Sequence, residues 1–110
     1  MTVSRRPPAA SSVVALDYEI AQETAAALGR LGRALEAALA ALADHDRRQQ
    51  KADDVRAKLV QEAGHALWCF MVQRECCGLR DPRPVMRDYG VPQDVQNRMG
   101  VSGGAYRRGR

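Results

Sequence analysis

The sequence predicts an all-α protein in which two long helices form an antiparallel hairpin and two short helices form a C-terminal corner. Two observations predict this class. Apolar residues recur at 3-4 spacing over long stretches, as on one face of an α-helix. In addition, no segment shows the alternation that is typical of a strand. The chain has 110 residues, 45% hydrophobic and 27% charged, which fits one small soluble domain. We expect that domain to span residues 12–100.

The first helix is expected over about residues 12–43, after a flexible lead at residues 1–11. Ser11 or Ser12 is a suitable N-cap, because a hydroxyl oxygen can accept a hydrogen bond from a free N–H of the first turn. Apolar residues then follow one stripe of the helix, namely Leu28, Leu31, Leu35, Ala38 and Leu42.

Residues 44–54 are almost all polar and contain neither glycine nor proline, so a turn and a continuous helix both remain open. We favour a turn near Asp44–Asp46, because the apolar stripe would meet polar side chains if it continued. Asp46 would then cap the second helix, with Gln49 three residues further on. The second helix is expected over about residues 47–77.

The second helix is apolar on every side between Ala66 and Val72. Such a segment needs cover all round, and one neighbouring helix cannot supply it. We therefore expect a homodimer that forms a helical bundle. Gly78 is expected to end the helix in a Schellman motif, with Leu79 making its hydrophobic contact. The residues expected in the core or the dimer interface are Leu28, Leu31, Leu35, Leu42, Leu59, Trp68 and Phe70.

Two short helices are predicted at the C-terminal end. The first, about residues 82–89, begins at an Asp-Pro pair and ends at Gly90. The second, about residues 92–99, begins at a proline and ends at Gly100. We expect both to pack as a corner over the hairpin.

The net charge of +4 belongs to the chain ends, which hold five of the 17 basic residues within residues 1–10 and 103–110. Residues 11–102 carry 12 basic and 13 acidic residues, so no basic body surface for nucleic acid is indicated. Residues 101–110 are expected to form a flexible basic tail. No apolar run approaches the roughly 20 residues of a membrane span, and no export signal is recognisable, so a cytoplasmic location is expected.

The corner at residues 82–99 also supports an alternative function, a DNA-binding regulator. Its turn, from Tyr89 to Pro92, resembles the turn of a helix-turn-helix motif, whose second helix enters the major groove. We favour a packed corner, because the first short helix has only about two turns and the chain body is slightly acidic. In the alternative, the side chains that reach base edges are Gln93, Gln96, Asn97 and Arg98.

A third hypothesis is a metal or redox sensor. His65 and Cys69 lie one helical turn apart and could share a thiophilic ion, but two ligands do not complete a zinc site. The neighbouring Cys76 and Cys77 could act as a redox sensor. We instead favour free thiols in a reducing compartment and no cofactor. Phosphate-binding and nucleophile motifs are absent from the sequence, so no enzyme is expected.

The segment Trp68–Gly78, followed by Tyr89–Pro92 and Arg98–Gly100, resembles a family of short uncharacterised bacterial helical proteins. The resemblance covers about a third of the chain. It implies a bacterial cytoplasmic origin and a compact unit built on the second helix and the corner, and it implies no activity. We therefore expect a small helical interaction or structural protein without catalytic activity.

Overall fold

The computed structural model describes residues 8–48 and 51–100, and within them the chain forms four α-helices and no strand. The predicted all-α class, with two long helices followed by two short ones, is confirmed. The helices are α1 (Pro8–Arg47), α2 (Asp53–Cys76), α3 (Arg83–Asp88) and α4 (Gln93–Arg98).

Helix α1 begins earlier than expected, at Pro8, so Ser11 and Ser12 lie inside the helix and the prediction of an N-cap there is wrong. Proline is tolerated in the first turn of a helix, because its missing N–H would have no partner there and its φ already suits the helix. The rest of the predicted flexible lead, residues 1–7, lies outside the described residues, as does the predicted tail at residues 101–110.

The turn between the long helices also differs from the expectation. Asp44 and Asp46 lie in the last turns of α1, so Asp46 does not cap α2, and the chain leaves the helix only after Arg47. The Asp44 carboxylate pairs with Arg47 and, at 3.0 Å, with Arg48. Such i,i+3 and i,i+4 pairs stabilise a helix end. A continuous helix is excluded too, because Ala52 has extended backbone just before α2.

The core lies where α1 packs against α2 and α2 packs against α4. Leu35 and Val95 are fully buried at its centre, on α1 and α4. Of the residues expected in the core or interface, Leu35, Leu42 and Phe70 are buried, Leu28, Leu31 and Leu59 are partly buried against the core, and Trp68 is 46% exposed.

Glycines end α2 and α3 as predicted. Gly78 has φ +85°, its N–H donates to the Glu75 carbonyl, and the Leu79 N–H donates to the Arg74 carbonyl. These are the two hydrogen bonds of a Schellman motif. Gly90, with φ +60°, ends α3 with the same pair of bonds. A side chain is disfavoured at these φ values, so glycine is needed at both positions.

The two long helices differ in length. The 40 residues of α1 span about 60 Å, whereas the 24 residues of α2 span about 36 Å. From residue 12 to residue 23 every side chain of α1 is exposed. We call residues 12–26 the α1 arm. Among the described helices, none is both long and apolar enough to cross a membrane.

Candidate functional site

The α1 arm carries large apolar side chains in contact with solvent. Val13, Leu16 and Ile20 share one face of the helix and are 54–56% exposed. Val14 and Tyr18 lie on a different face and are 65–66% exposed. The arm is therefore apolar over much of its circumference, unlike a helix that has one solvated polar face.

A shallow groove begins at the end of the arm, at Ala25, and continues along α1. Its floor is made of small residues, Ala25, Gly29 and Gly32, together with the partly buried Leu28. Phe70 of α2 and Tyr89, which follows α3, form one of its walls. We call this feature the α1 groove.

The two glycines of the α1 groove have different surroundings. A Cβ placed on Gly32 would lie 3.0 Å from the Tyr89 hydroxyl and 3.4 Å from the Phe70 ring. These two rings pack edge to face, with centroids 5.4 Å apart. A Cβ on Gly29 would meet only the flexible end of Arg33, at 3.4 Å. Gly32 therefore allows the close approach of the aromatic wall, whereas Gly29 leaves the groove open.

Arg56 connects three helices at the other end of the molecule. Its Nε and Nη2 atoms donate to the two carboxylate oxygens of Asp46 on α1, at 2.8 and 3.0 Å. Its Nη1 atom donates to Asp94 on α4, at 2.9 Å. Sequence analysis did not identify this cluster, because its three residues come from distant parts of the chain.

The arginine pairs shift the ionisation of their partners. The hydrogen bonds that Arg56 donates to Asp46 lower the pKa of that carboxyl group. Donation to the carboxylates of Asp46 and Asp94 raises the pKa of Arg56 itself. Hydrogen bonds from the side chain and backbone N–H of Arg83 lower the pKa of Asp81 to about 2. The Asp81 carboxylate accepts the backbone N–H of Arg83, the first residue of α3, at 3.0 Å. Pro82, rather than Asp81 as its position predicts, occupies the N-cap of α3.

His45 is buried, although it lies in the polar segment at residues 44–54. Its side chain is 6% exposed, and neither ring nitrogen has a hydrogen-bond partner among the described residues. The nearest charge is a carboxylate oxygen of Asp46, 3.5 Å from Nδ1. Burial of this ring adds to the packing of the last turn of α1.

The proposed metal and redox residues do not gather into a larger cluster in the described part of the chain. The Cys69 sulfur lies 3.6 Å from His65 Nε2, so this pair is in contact. However, the described residues contain no group of three or more His, Cys, Asp or Glu side chains able to share a metal ion. Cys76 and Cys77 are exposed at the end of α2.

The residues of the DNA-binding alternative separate into two pairs. Gln93 and Asn97 are exposed on α4, where the Gln93 amide donates to the Asn97 side-chain oxygen at 3.0 Å. Gln96 instead donates to the Val91 carbonyl at 3.0 Å. Arg98 packs closely on α2, because a Cβ placed on Gly64 would lie 2.9 Å from its Cβ and its carbonyl oxygen.

Comparison with known proteins assigns the chain at the level of a family. A family described as a "Family of unknown function (DUF6665)" matches residues 2–107. The chain belongs to this family. The expected resemblance to an uncharacterised helical family is thus confirmed, and the match covers all four helices of this DUF6665 member. No curated protein and no solved structure matches the chain.

In this DUF6665 member, five of the nine large hydrophobic side chains that are exposed in the described part of the chain lie on the α1 arm. Leu16 and Ile20 continue the apolar pattern of the first helix, so the sequence already contained part of this signal. The sequence did not show that these side chains are exposed, because their exposure depends on where α2 ends relative to α1.

Proposed function

We propose that the protein is a small, non-catalytic helical interaction protein that works as a homodimer. One observation carries the proposal, namely the concentration of exposed apolar side chains on the α1 arm. Single exposed apolar residues are common on protein surfaces, but several large ones close together on one helical segment indicate a site of association. Five large ones lie here within eight residues, each more than half exposed: Val13, Val14, Leu16, Tyr18 and Ile20.

The proposal includes an antiparallel pairing of α1 and α2. Two contacts support it, one between Gly32 and Phe70 and one between Asp46 and Arg56. The number of residues from Gly32 to Asp46 on α1 equals the number from Arg56 to Phe70 on α2. The earlier residue of α1 contacts the later residue of α2, as expected for helices that run in opposite directions. With this register, the end of α2 at Cys76 lies level with about residue 26 of α1. The arm therefore lies past the end of α2, which leaves it without a neighbouring helix among residues 8–48 and 51–100.

Association would remove the apolar surface of the arm from water. Burial contributes about 25 cal/mol for each Å² of apolar area, or about 1.5–3 kcal/mol for one fully buried large side chain. Several such side chains can offset the entropy that two molecules lose on binding. The arm is thus a suitable interface for a homodimer, and the free thiols of Cys69, Cys76 and Cys77 fit a reducing, cytoplasmic location.

Sedimentation velocity of the full chain tests the proposal. We expect the wild type to sediment as a dimer and a variant with all five arm residues replaced by glutamine to sediment as a monomer. Circular dichroism should show that the variant keeps its helices. A matched control replaces Val55 and Leu79 by glutamine, since these residues lie outside the arm and are 45% and 44% exposed. We expect this control to remain dimeric. A monomeric wild type, or a dimeric arm variant, would contradict the proposal.

Two further assays separate the alternatives. A DNA-binding regulator should be retained on DNA at low salt and released steeply as the salt concentration rises. Replacement of Gln93 and Asn97, its two exposed candidates, should then reduce retention. A metal sensor should retain stoichiometric metal through His65 and Cys69 after purification. We expect the proposed interaction protein neither to be retained on DNA nor to retain metal.

A further inference from the structure

We propose that the Cys69–His65 pair on α2 is a thiol-modification site, at which Cys69 forms a mixed disulfide with a small organic disulfide. This inference goes beyond the proposed interaction function and does not depend on it. Three observations support it: the contact between the two side chains, their access to solvent, and the positions of the other two cysteines.

Cys69 and His65 lie one helical turn apart on α2, and their side chains touch. The Cys69 sulfur is 3.6 Å from His65 Nε2, which is within the reach of a hydrogen bond to sulfur. A neutral imidazole nitrogen can take up the thiol proton, and the imidazolium that results stabilises the thiolate beside it. Because the thiolate is the reactive form of cysteine, the pair holds a nucleophile and its base in contact.

The pair is accessible to a small molecule. His65 is exposed, and Cys69 is partly buried. Trp68 precedes Cys69 and is 46% exposed, and its ring centroid lies 6.5 Å from that of His65. These two rings give the organic part of a small disulfide an aromatic surface to contact. The partial burial of the sulfur favours such a molecule over a disulfide on the surface of another protein.

The imidazole is the one titratable group in hydrogen-bond contact with the sulfur in the described part of the chain. Other charged residues near the pair come from two helices. On α2, Glu62 and Lys58 precede His65 by about one turn and two turns on the same side of the helix. From α4, Arg98 packs at Gly64. Glu62 favours the charged imidazole, whereas the two basic groups favour the thiolate.

The other two cysteines lack such a partner. Cys76 and Cys77 are exposed at the end of α2, and no histidine contacts either thiol in the described residues. Cys76 lies seven residues after Cys69, about 10 Å along the helix axis. The two sulfurs of a disulfide are only about 2 Å apart. Cys69 therefore has no second cysteine within reach on α2, and its product is a mixed disulfide with another molecule.

The reaction is a thiol–disulfide exchange. The Cys69 thiol passes its proton to His65 Nε2, and the thiolate attacks one sulfur of the small disulfide. A new S–S bond forms to Cys69 while the original S–S bond breaks, and the departing thiolate takes the proton from His65. Cys69 is thereby oxidised, and one half of the small disulfide is reduced and released as a thiol.

Reaction rates with dithiodipyridine, a small aromatic disulfide, test the role of the ring. One variant keeps only Cys69, through Cys76→Ser and Cys77→Ser, and a second variant adds His65→Gln. An unassisted thiol ionises at about pH 8.5 and is almost wholly protonated at about pH 6. We expect the variant that keeps His65 to react at least about fivefold faster at about pH 6. At about pH 9.5 both thiols are ionised, and the two rates should agree within about twofold.

The measurement at high pH controls for access to the sulfur, because a change in packing would alter the rate at every pH. A ratio of rates that is the same at both pH values would overturn the inference.

A second comparison leaves His65 in place, so it holds even if His65→Gln fails to fold. A variant with Cys69→Ser and Cys77→Ser keeps only Cys76. Between about pH 9.5 and pH 6, the rate of Cys69 should fall at least about fivefold less than that of Cys76. Equal decreases would overturn the inference. The rates of both comparisons are independent of the proposed homodimer, so a monomeric wild type would contradict that proposal alone.

Discussion

Gly64 and Gly29 both lie inside helices, yet the structure gives them opposite roles. A Cβ on Gly64 would lie 2.9 Å from the Arg98 carbonyl oxygen, a backbone atom that cannot move without shifting α4. A Cβ on Gly29 would meet only the end of a flexible arginine. Gly64 is therefore required for the packing of α4 on α2, whereas Gly29 is not required by the fold of a single chain.

We predict opposite effects of alanine at these two positions. Gly64→Ala should lower the free energy of unfolding by about 1 kcal/mol, because overpacking outweighs the gain in helix propensity. Gly29→Ala should raise it by up to about 1 kcal/mol, because alanine is the better helix former. Urea unfolding at a fixed protein concentration measures both. Equal effects of the two substitutions would contradict the close packing at Gly64.

Arg56 is the residue on which the largest described ion-pair cluster depends. A carboxylate whose pKa is lowered in the folded state stabilises that state above the unfolded pKa, here 3.8. This contribution is lost as the pH falls through the lowered pKa. For Asp46 the stabilisation should therefore be complete at neutral pH and decrease below about pH 4.

We predict that Arg56→Gln lowers the melting temperature at pH 7 and makes its decrease between about pH 4 and pH 2 less steep. Arg87→Gln serves as a control, since Arg87 pairs only with its exposed sequence neighbour Asp88. Arg87→Gln should change neither the melting temperature at pH 7 nor the steepness of its decrease at acid pH. If Arg56→Gln left the decrease in melting temperature at acid pH unchanged, the cluster would not contribute to the acid sensitivity of the fold.

At the level of the helices, α1 and α2 depend on a few fully buried leucines. Leu35 is 0% exposed, and its neighbour Ala34 faces solvent on the same turn. We predict that Leu35→Asp lowers the free energy of unfolding by several kcal/mol, because an unpaired charge would be buried among apolar side chains. Ala34→Asp should cost less than about 1 kcal/mol. Thermal or urea unfolding distinguishes the two variants. An unchanged melting temperature for Leu35→Asp would rule out the packing of α1 against α2 at this residue.

The sequence was sufficient to predict the helices wherever local rules decide. Apolar spacing identified both long helices, and Gly78 and Gly90 marked the ends of α2 and α3, because a left-handed backbone position favours glycine regardless of tertiary context. The end of α1 was not predictable in this way. The chain stays helical through His45 because that side chain becomes buried in the folded molecule.

The candidate site was only partly predictable, for a related reason. Leu16 and Ile20 were visible as apolar positions, but their exposure depends on the register between two helices and on the length of the intervening turn. The Arg56 cluster likewise depends on three separate elements that meet only in the fold. Contacts between distant segments leave little trace in local spacing.

The whole molecule combines a well-packed end, where α1, α2 and α4 meet, with an arm that has no described neighbour. Such a shape makes stability depend on association, because a ligand that binds only the folded state stabilises it by mass action. For a homodimer the ligand is the protein itself. The melting temperature should then depend on protein concentration.

We predict that a hundredfold increase in concentration, above the dissociation constant, raises the wild-type melting temperature by about 6–11 °C. The increase changes the free energy of dissociation by about 2.7 kcal/mol per dimer, or about 1.4 kcal/mol per chain, and 1 kcal/mol shifts the melting temperature of a domain this size by about 4–8 °C. Calorimetry at the two concentrations measures the shift. The variant with glutamine at all five arm residues should melt at one temperature throughout, whereas the control with Val55 and Leu79 replaced should keep the wild-type dependence on concentration. A concentration-independent wild type would show that the arm stays uncovered in solution and that folding and association are not coupled.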